Sequence, residues 1–102
     1  MALHRLASFN VAGKTATPWG QADLVEELTL PQRAGERRFA SRVQLLRTAK
    51  GERLVRFSYA TDGNARRGPV TLRERDIARL RAELARHDEL RELLAALTTE
   101  GP

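Results

Sequence analysis

Two segments rich in β-branched and aromatic residues lie within residues 38–61 and flank a short turn that contains Gly51. This pattern predicts a β-hairpin. A two-residue turn would pair Ala49 with Glu52, whereas a three-residue loop with Gly51 in the left-handed conformation would pair Thr48 with Glu52. The second register is favoured because it sorts the side chains cleanly between two faces. One face then carries Val43, Leu45, Val55, Phe57 and Tyr59, and the other carries Arg42, Gln44, Leu46, Thr48, Leu54, Arg56 and Ser58.

The hairpin is predicted to extend to a third strand and then to a helix. Residues 62–68 form a turn region, because Asp, Gly and Asn tolerate the positive φ angles of tight turns. Pro69–Leu72 follows as a short strand, with the proline at its start. The spacing of Thr71 and Glu74 is that of a capping box, so the helix should begin there.

Two apolar stripes follow along this helical segment. The first is formed by Ile77, Leu80 and Leu84, and the second by four leucines that lie about 130° away around a straight helix. A break at His87-Asp88, with Asp88 capping a second short helix, would let both stripes reach one core. Alternatively, the second stripe meets a partner chain. Its residues are Leu90, Leu93, Leu94 and Leu97.

The N-terminal third carries weaker patterns. Residues 24–30 are interpreted as a strand that ends at Pro31, although a partly helical turn remains an alternative. Residues 3–11 are a candidate for another strand, and Thr17–Gly20 for a turn, with Trp19 packing in the core or at an edge. The expected fold is one α+β domain over residues 1–102: a curved antiparallel sheet of about four strands followed by a C-terminal helix, broken near His87-Asp88. The patterns do not define residues 1–31, and the tail 98–102 is expected to fray.

Length and composition argue against enzyme chemistry. A chain of 102 residues fits one domain and is too short for a Rossmann or barrel enzyme. The absence of cysteine excludes disulfides and thiolate nucleophiles, and His4 and His87 have no metal-ligand spacing. We therefore expect no catalysis, no metal and no cofactor. Apolar runs are too short to span a membrane, and no secretory signal is evident, so a cytoplasmic location is expected.

The positive charge is concentrated in the middle of the chain. The net charge is +5, from 18 Lys and Arg against 13 Asp and Glu. Residues 32–67 hold ten of these bases against three acids, a net +7, whereas residues 1–31 and 68–102 are each at −1. This segment coincides with the predicted hairpin and turns. It indicates a polyanionic partner, with a solvated arginine face on an interaction module as the alternative.

The order of the middle motifs resembles a known family. The C-terminal domain of the transcriptional coactivator positive cofactor four, with its relatives, has a strand, a Lys-Gly turn, a strand, a basic Gly-containing loop, a short strand and a helix. Residues 42–85 resemble this series. The matching pieces are Arg47–Gly51, Leu54–Phe57, Arg66–Gly68, Val70–Leu72 and Arg73–Leu84.

The resemblance implies a curved sheet backed by a helix, usually in a homodimer built through the helices. It also implies binding of single-stranded DNA or melted duplex on the sheet, without strong sequence preference, and hence a role in transcription regulation. Arg47, Lys50, Arg66 and Arg67 match basic positions of the family.

Charge and resemblance together predict a non-catalytic domain that binds single-stranded DNA or RNA. The residues expected to contact phosphates are basic side chains of the hairpin and its turns, with Arg56 also able to stack on a base. The alternative function is a protein-interaction module that dimerises through Leu90, Leu93, Leu94 and Leu97. The predicted phosphate-binding set is Arg42, Arg47, Lys50, Arg56, Arg66 and Arg67.

Overall fold

The structure is a computed structural model that describes residues 13–99. Five antiparallel strands in sequence order form one sheet, and two short helices follow them, so the predicted α+β class is confirmed. The predicted strand over residues 3–11 lies outside the described residues. The elements are β1 (Lys14–Thr17), β2 (Gly20–Ala34), β3 (Arg37–Thr48), β4 (Arg53–Thr61), β5 (Asn64–Arg66), α1 (Glu74–Leu84) and α2 (Asp88–Ala95).

The β3–β4 hairpin has the predicted register. The Thr48 N–H donates to the Glu52 carbonyl at 2.9 Å, and the pairing continues as Arg47 with Arg53. Gly51 takes a φ of 91°, which a residue with a Cβ adopts only under strain. The two predicted faces are therefore those of the folded sheet.

The strand after β4 differs from the prediction. Pro69–Leu72 is not a strand, and β5 instead lies inside the segment that was predicted as a turn. Asp62 and Gly63 have φ angles of 53° and 79°. This tight turn lets Asn64 pair at once with Thr61, so the chain returns along β4 before it reaches the proline.

Strand β2 was predicted correctly in type, but its predicted end at Pro31 is wrong. The strand passes through Pro31 to Ala34, and Pro31 pairs with Ala40 of β3. β1 pairs only with Gly20–Asp23, so within the described residues Pro31 lies at the sheet edge, where a missing N–H is tolerated. The predicted turn between β1 and β2 is confirmed, with Trp19 at its tip 68% exposed and outside the core.

The main core lies between the sheet and the helices. Leu28, Val43, Leu45 and Leu90 are buried there, and Val25, Val55, Leu80, Leu84, Leu93 and Leu94 pack against them. The helical break at His87-Asp88 is confirmed, because α1 ends at Leu84 and α2 begins at Asp88. This break allows both leucine stripes to reach one core. Neither helix is long and apolar enough to cross a membrane.

Both helix starts are capped by residues other than those predicted. The Thr71–Glu74 box does not form, because α1 begins at Glu74 and the Asp76 carboxylate accepts the Arg73 N–H at 3.0 Å. Asp88 does not cap α2. The Glu26 carboxylate of β2 accepts the N–H groups of Glu89 and Leu90 at 3.3 and 2.9 Å. An acidic cap from the sheet thus fixes the position of α2.

The sheet is strongly curved, and its second face is closed by β1. The Arg56 guanidinium on β4 reaches the Thr15 hydroxyl at 3.1 Å and the Ala16 carbonyl at 3.4 Å, although β1 and β4 are not neighbours in the sheet. Curvature must therefore bring β1 across this concave face. Ala22, Leu46 and Ala60 are buried beneath it.

Candidate nucleic-acid interface

The six basic residues predicted from the sequence do not share one surface. Arg42 and Arg56 lie on the concave face, whereas Arg47 lies on the helix side with Arg53 opposite it. Lys50 lies in the β3–β4 turn, and Arg66 and Arg67 lie near the opposite end of β4. The six residues therefore lie on several separate parts of the molecule.

Arg42 and Arg56 are used within the chain. Arg56 donates to Gln44 at 2.9 Å in addition to its two bonds to β1. Arg42 donates to the Gly63 carbonyl at 3.1 Å and lies 3.9 Å from the Glu27 carboxylate. These bonds engage both arginines in holding the curved sheet together, and both side chains are half-buried, so stacking of Arg56 on a base stays a prediction.

Arg47 serves to tether α2. Its guanidinium lies 3.2 Å from the Glu89 carboxylate, and Arg53 lies 3.8 Å from both Glu89 and Glu92. These ion pairs are exposed and add little to stability, but they neutralise the local positive charge. This part of the sheet is therefore a poor surface for a polyanion.

The predicted dimer stripe is mostly internal. Leu90 is completely buried in the chain's own core, and Leu93 and Leu94 pack against the same core. Leu97 is 78% exposed. Three of the four leucines therefore already have partners in the monomer, and dimerisation through this helix stays a prediction that rests on Leu97.

A groove with five arginines lies where the β2–β3 turn meets the start of α1. Its volume is about 730 Å³, and it is open to solvent. One acidic residue, Asp76, lines it against the five bases, which leaves a net charge of +4. The arginines are Arg33, Arg38, Arg73, Arg75 and Arg79.

Three groups fix this geometry between the sheet and α1. The Gln32 amide donates to the Asp76 carboxylate and to the Thr71 carbonyl, each at 3.0 Å. Arg79 donates to the other Asp76 oxygen at 2.8 Å and to the Pro31 carbonyl at 2.7 Å. The Ser41 hydroxyl donates to the side-chain oxygen Oε1 of Gln32 and so holds the amide in place. The groove therefore has a rigid wall.

Asp76 is the centre of this network and is 3% exposed. The hydrogen bond from the Arg73 N–H lowers the pKa of its carboxyl below the ordinary 3.8, and bonds from Gln32 and Arg79 lower it further against the opposing effect of burial. The carboxylate stays charged at neutral pH and neutralises Arg79. It does not neutralise the other arginines.

Three arginines of the groove are available to a ligand. Within residues 13–99, the side chains of Arg38, Arg73 and Arg75 are exposed and form no salt bridge. A guanidinium binds phosphate oxygens through a planar fork of donors. The groove can therefore hold an anion with side chains that the fold does not otherwise use.

Most of this groove was not predicted from the sequence. Arg33 and Arg38 belong to the basic middle segment, but Arg73, Arg75 and Arg79 lie in a segment with a net charge of −1. The one signal that could have shown them is the i,i+4 spacing of Arg75 and Arg79, which places them on one face of the helix.

A smaller pocket adjoins the groove. Its volume is about 230 Å³, and it shares Ala34, Phe39 and Thr71 with the groove. The rings of Phe39 and Tyr59 meet there edge to face, with centroids 6.3 Å apart. Arg37, Ser41, Thr61 and Pro69 complete its lining.

Two residues of the sequence-predicted set border this pocket. Arg66 donates to the Thr61 hydroxyl, and the carbonyl of Arg67 accepts the Tyr59 hydroxyl at 3.0 Å. The structure therefore brings Arg66 and Arg67 to the groove side of the molecule. It leaves Lys50 at the far end of β3.

The described residues contain no group of three or more His, Cys, Asp or Glu side chains that could hold a metal ion. Comparisons with protein-family models, with curated proteins and with solved structures found no match. The fold and the groove define a small α+β domain with an open groove lined by arginines. The resemblance to positive cofactor four rests on the sequence motifs alone.

Proposed function

We propose that this protein binds single-stranded nucleic acid, without catalysis, and that the arginine groove contacts the phosphates. The observation that carries the proposal is that five arginines, from the β2–β3 hairpin and from the start of α1, line one open groove with a single acid. Phosphodiester backbones present repeated negative charges, and their neutralisation supplies most of the affinity of such complexes.

A polymer fits the groove better than a small anion does. Five arginines are more than one phosphate group requires, and they are spread over two sides of an open groove instead of enclosing a single point. The adjoining Arg37 and the bordering Arg66 and Arg67 extend the basic surface beyond it. A chain of phosphates can follow this surface from one end to the other.

Unpaired bases fit the site better than a duplex does. Phe39 and Tyr59 line the pocket beside the groove, and base stacking on aromatic side chains is the usual partner of a basic groove in single-strand binding. A duplex hides the faces of its bases inside the stack.

We also propose a cytoplasmic location and, by the resemblance, a role in transcription regulation.

The salt dependence of binding tests this function. If about five phosphates are neutralised, log K should fall with log salt at a slope of about −3.5, as for single strands. Fluorescence anisotropy of a labelled oligothymidylate, titrated with the protein at several salt concentrations, measures the slope. No binding at low salt would contradict the proposal, and equal affinity for a duplex of the same length would remove the single-strand preference.

A further inference from the structure

We infer that the pocket beside the arginine groove accepts one nucleobase, so that groove and pocket together bind one nucleotide unit of the strand. The inference rests on the proposed function and adds the nucleobase as a second part of the ligand that the protein contacts. It assigns a role in base binding to Phe39 and Tyr59, the two aromatic residues of the pocket.

The pocket has the surface that a flat aromatic ring requires. Phe39 and Tyr59 are half-buried and stand at 81° to each other, and Pro69 adds a third apolar wall. Base rings stack on aromatic faces and meet aromatic edges, as two aromatic side chains do. At about 230 Å³ the pocket is smaller than the roughly 300–1,000 Å³ that takes a drug-sized ligand. It therefore suits one ring system.

The position of the pocket matches the covalent structure of a nucleotide. Groove and pocket share Ala34, Phe39 and Thr71, so the arginines begin where the aromatic wall ends. A nucleotide carries its phosphate and its base on one sugar. A strand whose phosphate contacts Arg73, two residues from the shared Thr71, can place the attached base against Phe39.

The hydrogen bonds of the pocket indicate little preference between bases. Ser41 donates to Gln32, Tyr59 donates to the Arg67 carbonyl, and Thr61 accepts from Arg66. Reading a base requires donors and acceptors that are not already paired with the protein. The Ser41 and Tyr59 hydroxyls already donate their protons within the protein, so stacking, which every base supports, should contribute more to recognition than hydrogen bonds to base edges.

An oligomer without bases tests the inference directly. We expect an abasic deoxyribose-phosphate oligomer to bind at least about tenfold more weakly than an oligothymidylate of equal length, because only the oligothymidylate has bases that can stack. Competition against labelled oligothymidylate, followed by fluorescence anisotropy on the full chain, gives both affinities. Their salt slopes should be equal, because the phosphates are the same.

Two variants assign the effect to the pocket. Phe39→Leu keeps an apolar side chain but removes the ring, and should lower the affinity for oligothymidylate towards that of the abasic oligomer. Trp19→Leu also removes an aromatic ring, but Trp19 is 68% exposed at the β1–β2 turn and does not line the pocket, so its affinity should match the wild type. If Phe39→Leu does not fold, the comparison of oligomers on the wild-type protein decides alone.

The possible outcomes separate the inference from the proposed function. Equal affinity for the two oligomers would overturn the base pocket and leave phosphate binding intact. Absence of binding to both would overturn the proposed function itself. Thymidine 5′-monophosphate distinguishes the source of the nucleotide: displacement as effective as by the oligomer would identify a free nucleotide as the ligand and contradict a strand.

Discussion

Leu90→Ala is expected to lower the free energy of unfolding by about 2–5 kcal/mol, the usual cost of truncating a fully buried leucine. Leu90 is completely buried and contacts the central core residues from the first turn of α2. Its loss would leave a cavity between the helix and the sheet. Urea denaturation followed by circular dichroism measures the change.

Leu97→Ala is the matched control for this substitution. Leu97 belongs to the same stripe but is 78% exposed, so its truncation should change the stability little. Light scattering of both variants and of the wild type tests the dimer hypothesis at the same time. If the wild type is dimeric and Leu90→Ala is monomeric but as stable, Leu90 serves an interface. That result would contradict its place in the core.

Asp76→Asn is expected to lower the thermal midpoint and to flatten the dependence of stability on pH under acid conditions. The amide cannot form the ion pair that holds Arg79 within α1, where the Arg79 guanidinium donates to the Pro31 carbonyl of β2. Because the pKa of Asp76 is lowered in the folded state, its contribution to the stability of the fold is fully present above the pKa of the unfolded chain, ordinarily 3.8. It is lost as the pH falls through the lower folded-state pKa.

Thermal unfolding between pH 7 and pH 2 measures this effect. Asp88→Asn is the control, because Asp88 is exposed and, among residues 13–99, forms an ion pair only with Arg91 on its own helix. We expect the control to keep the wild-type midpoint at neutral pH and its acid profile. An Asp76→Asn protein with the wild-type midpoint and profile would contradict the role of this carboxylate in docking α1.

Several parts of the fold could be predicted because local rules determine them. The alternation of side chains and the position of Gly51 leave the β3–β4 hairpin one register that sorts its faces. The two leucine stripes could not face one core from a straight helix, which located the break at His87-Asp88. In both cases residues close in sequence carry all the information.

The errors in the fold arose where two local signals competed. Asp62-Gly63 closes a tight turn, so β5 forms before Pro69 is reached. Pro31 suggested the end of β2, but at a sheet edge proline is tolerated. The caps were assigned to residues next to each helix, whereas for α2 the cap comes from Glu26 on a distant strand.

The site could not be predicted because it depends on tertiary docking. Arg33 and Arg73 are far apart in the sequence, and they meet only because Gln32 and Asp76 join β2 to α1. Net charge along the sequence also does not show which arginines are paired within the chain. Arg56, in the basic segment, donates three hydrogen bonds within the chain, whereas Arg75, in a segment with a net charge of −1, forms no salt bridge among residues 13–99.

The measurement that tests the arginine groove most directly compares two double variants that each lose two positive charges. Arg73→Gln/Arg75→Gln removes two arginines of the groove, and Lys50→Gln/Arg81→Gln removes two exposed bases that lie outside it. We expect the groove variant to bind oligothymidylate at least about tenfold more weakly than the wild type, since charged hydrogen bonds are lost. The control variant should stay within about threefold. Equal weakening of both variants, or of neither, would contradict the groove as the binding site.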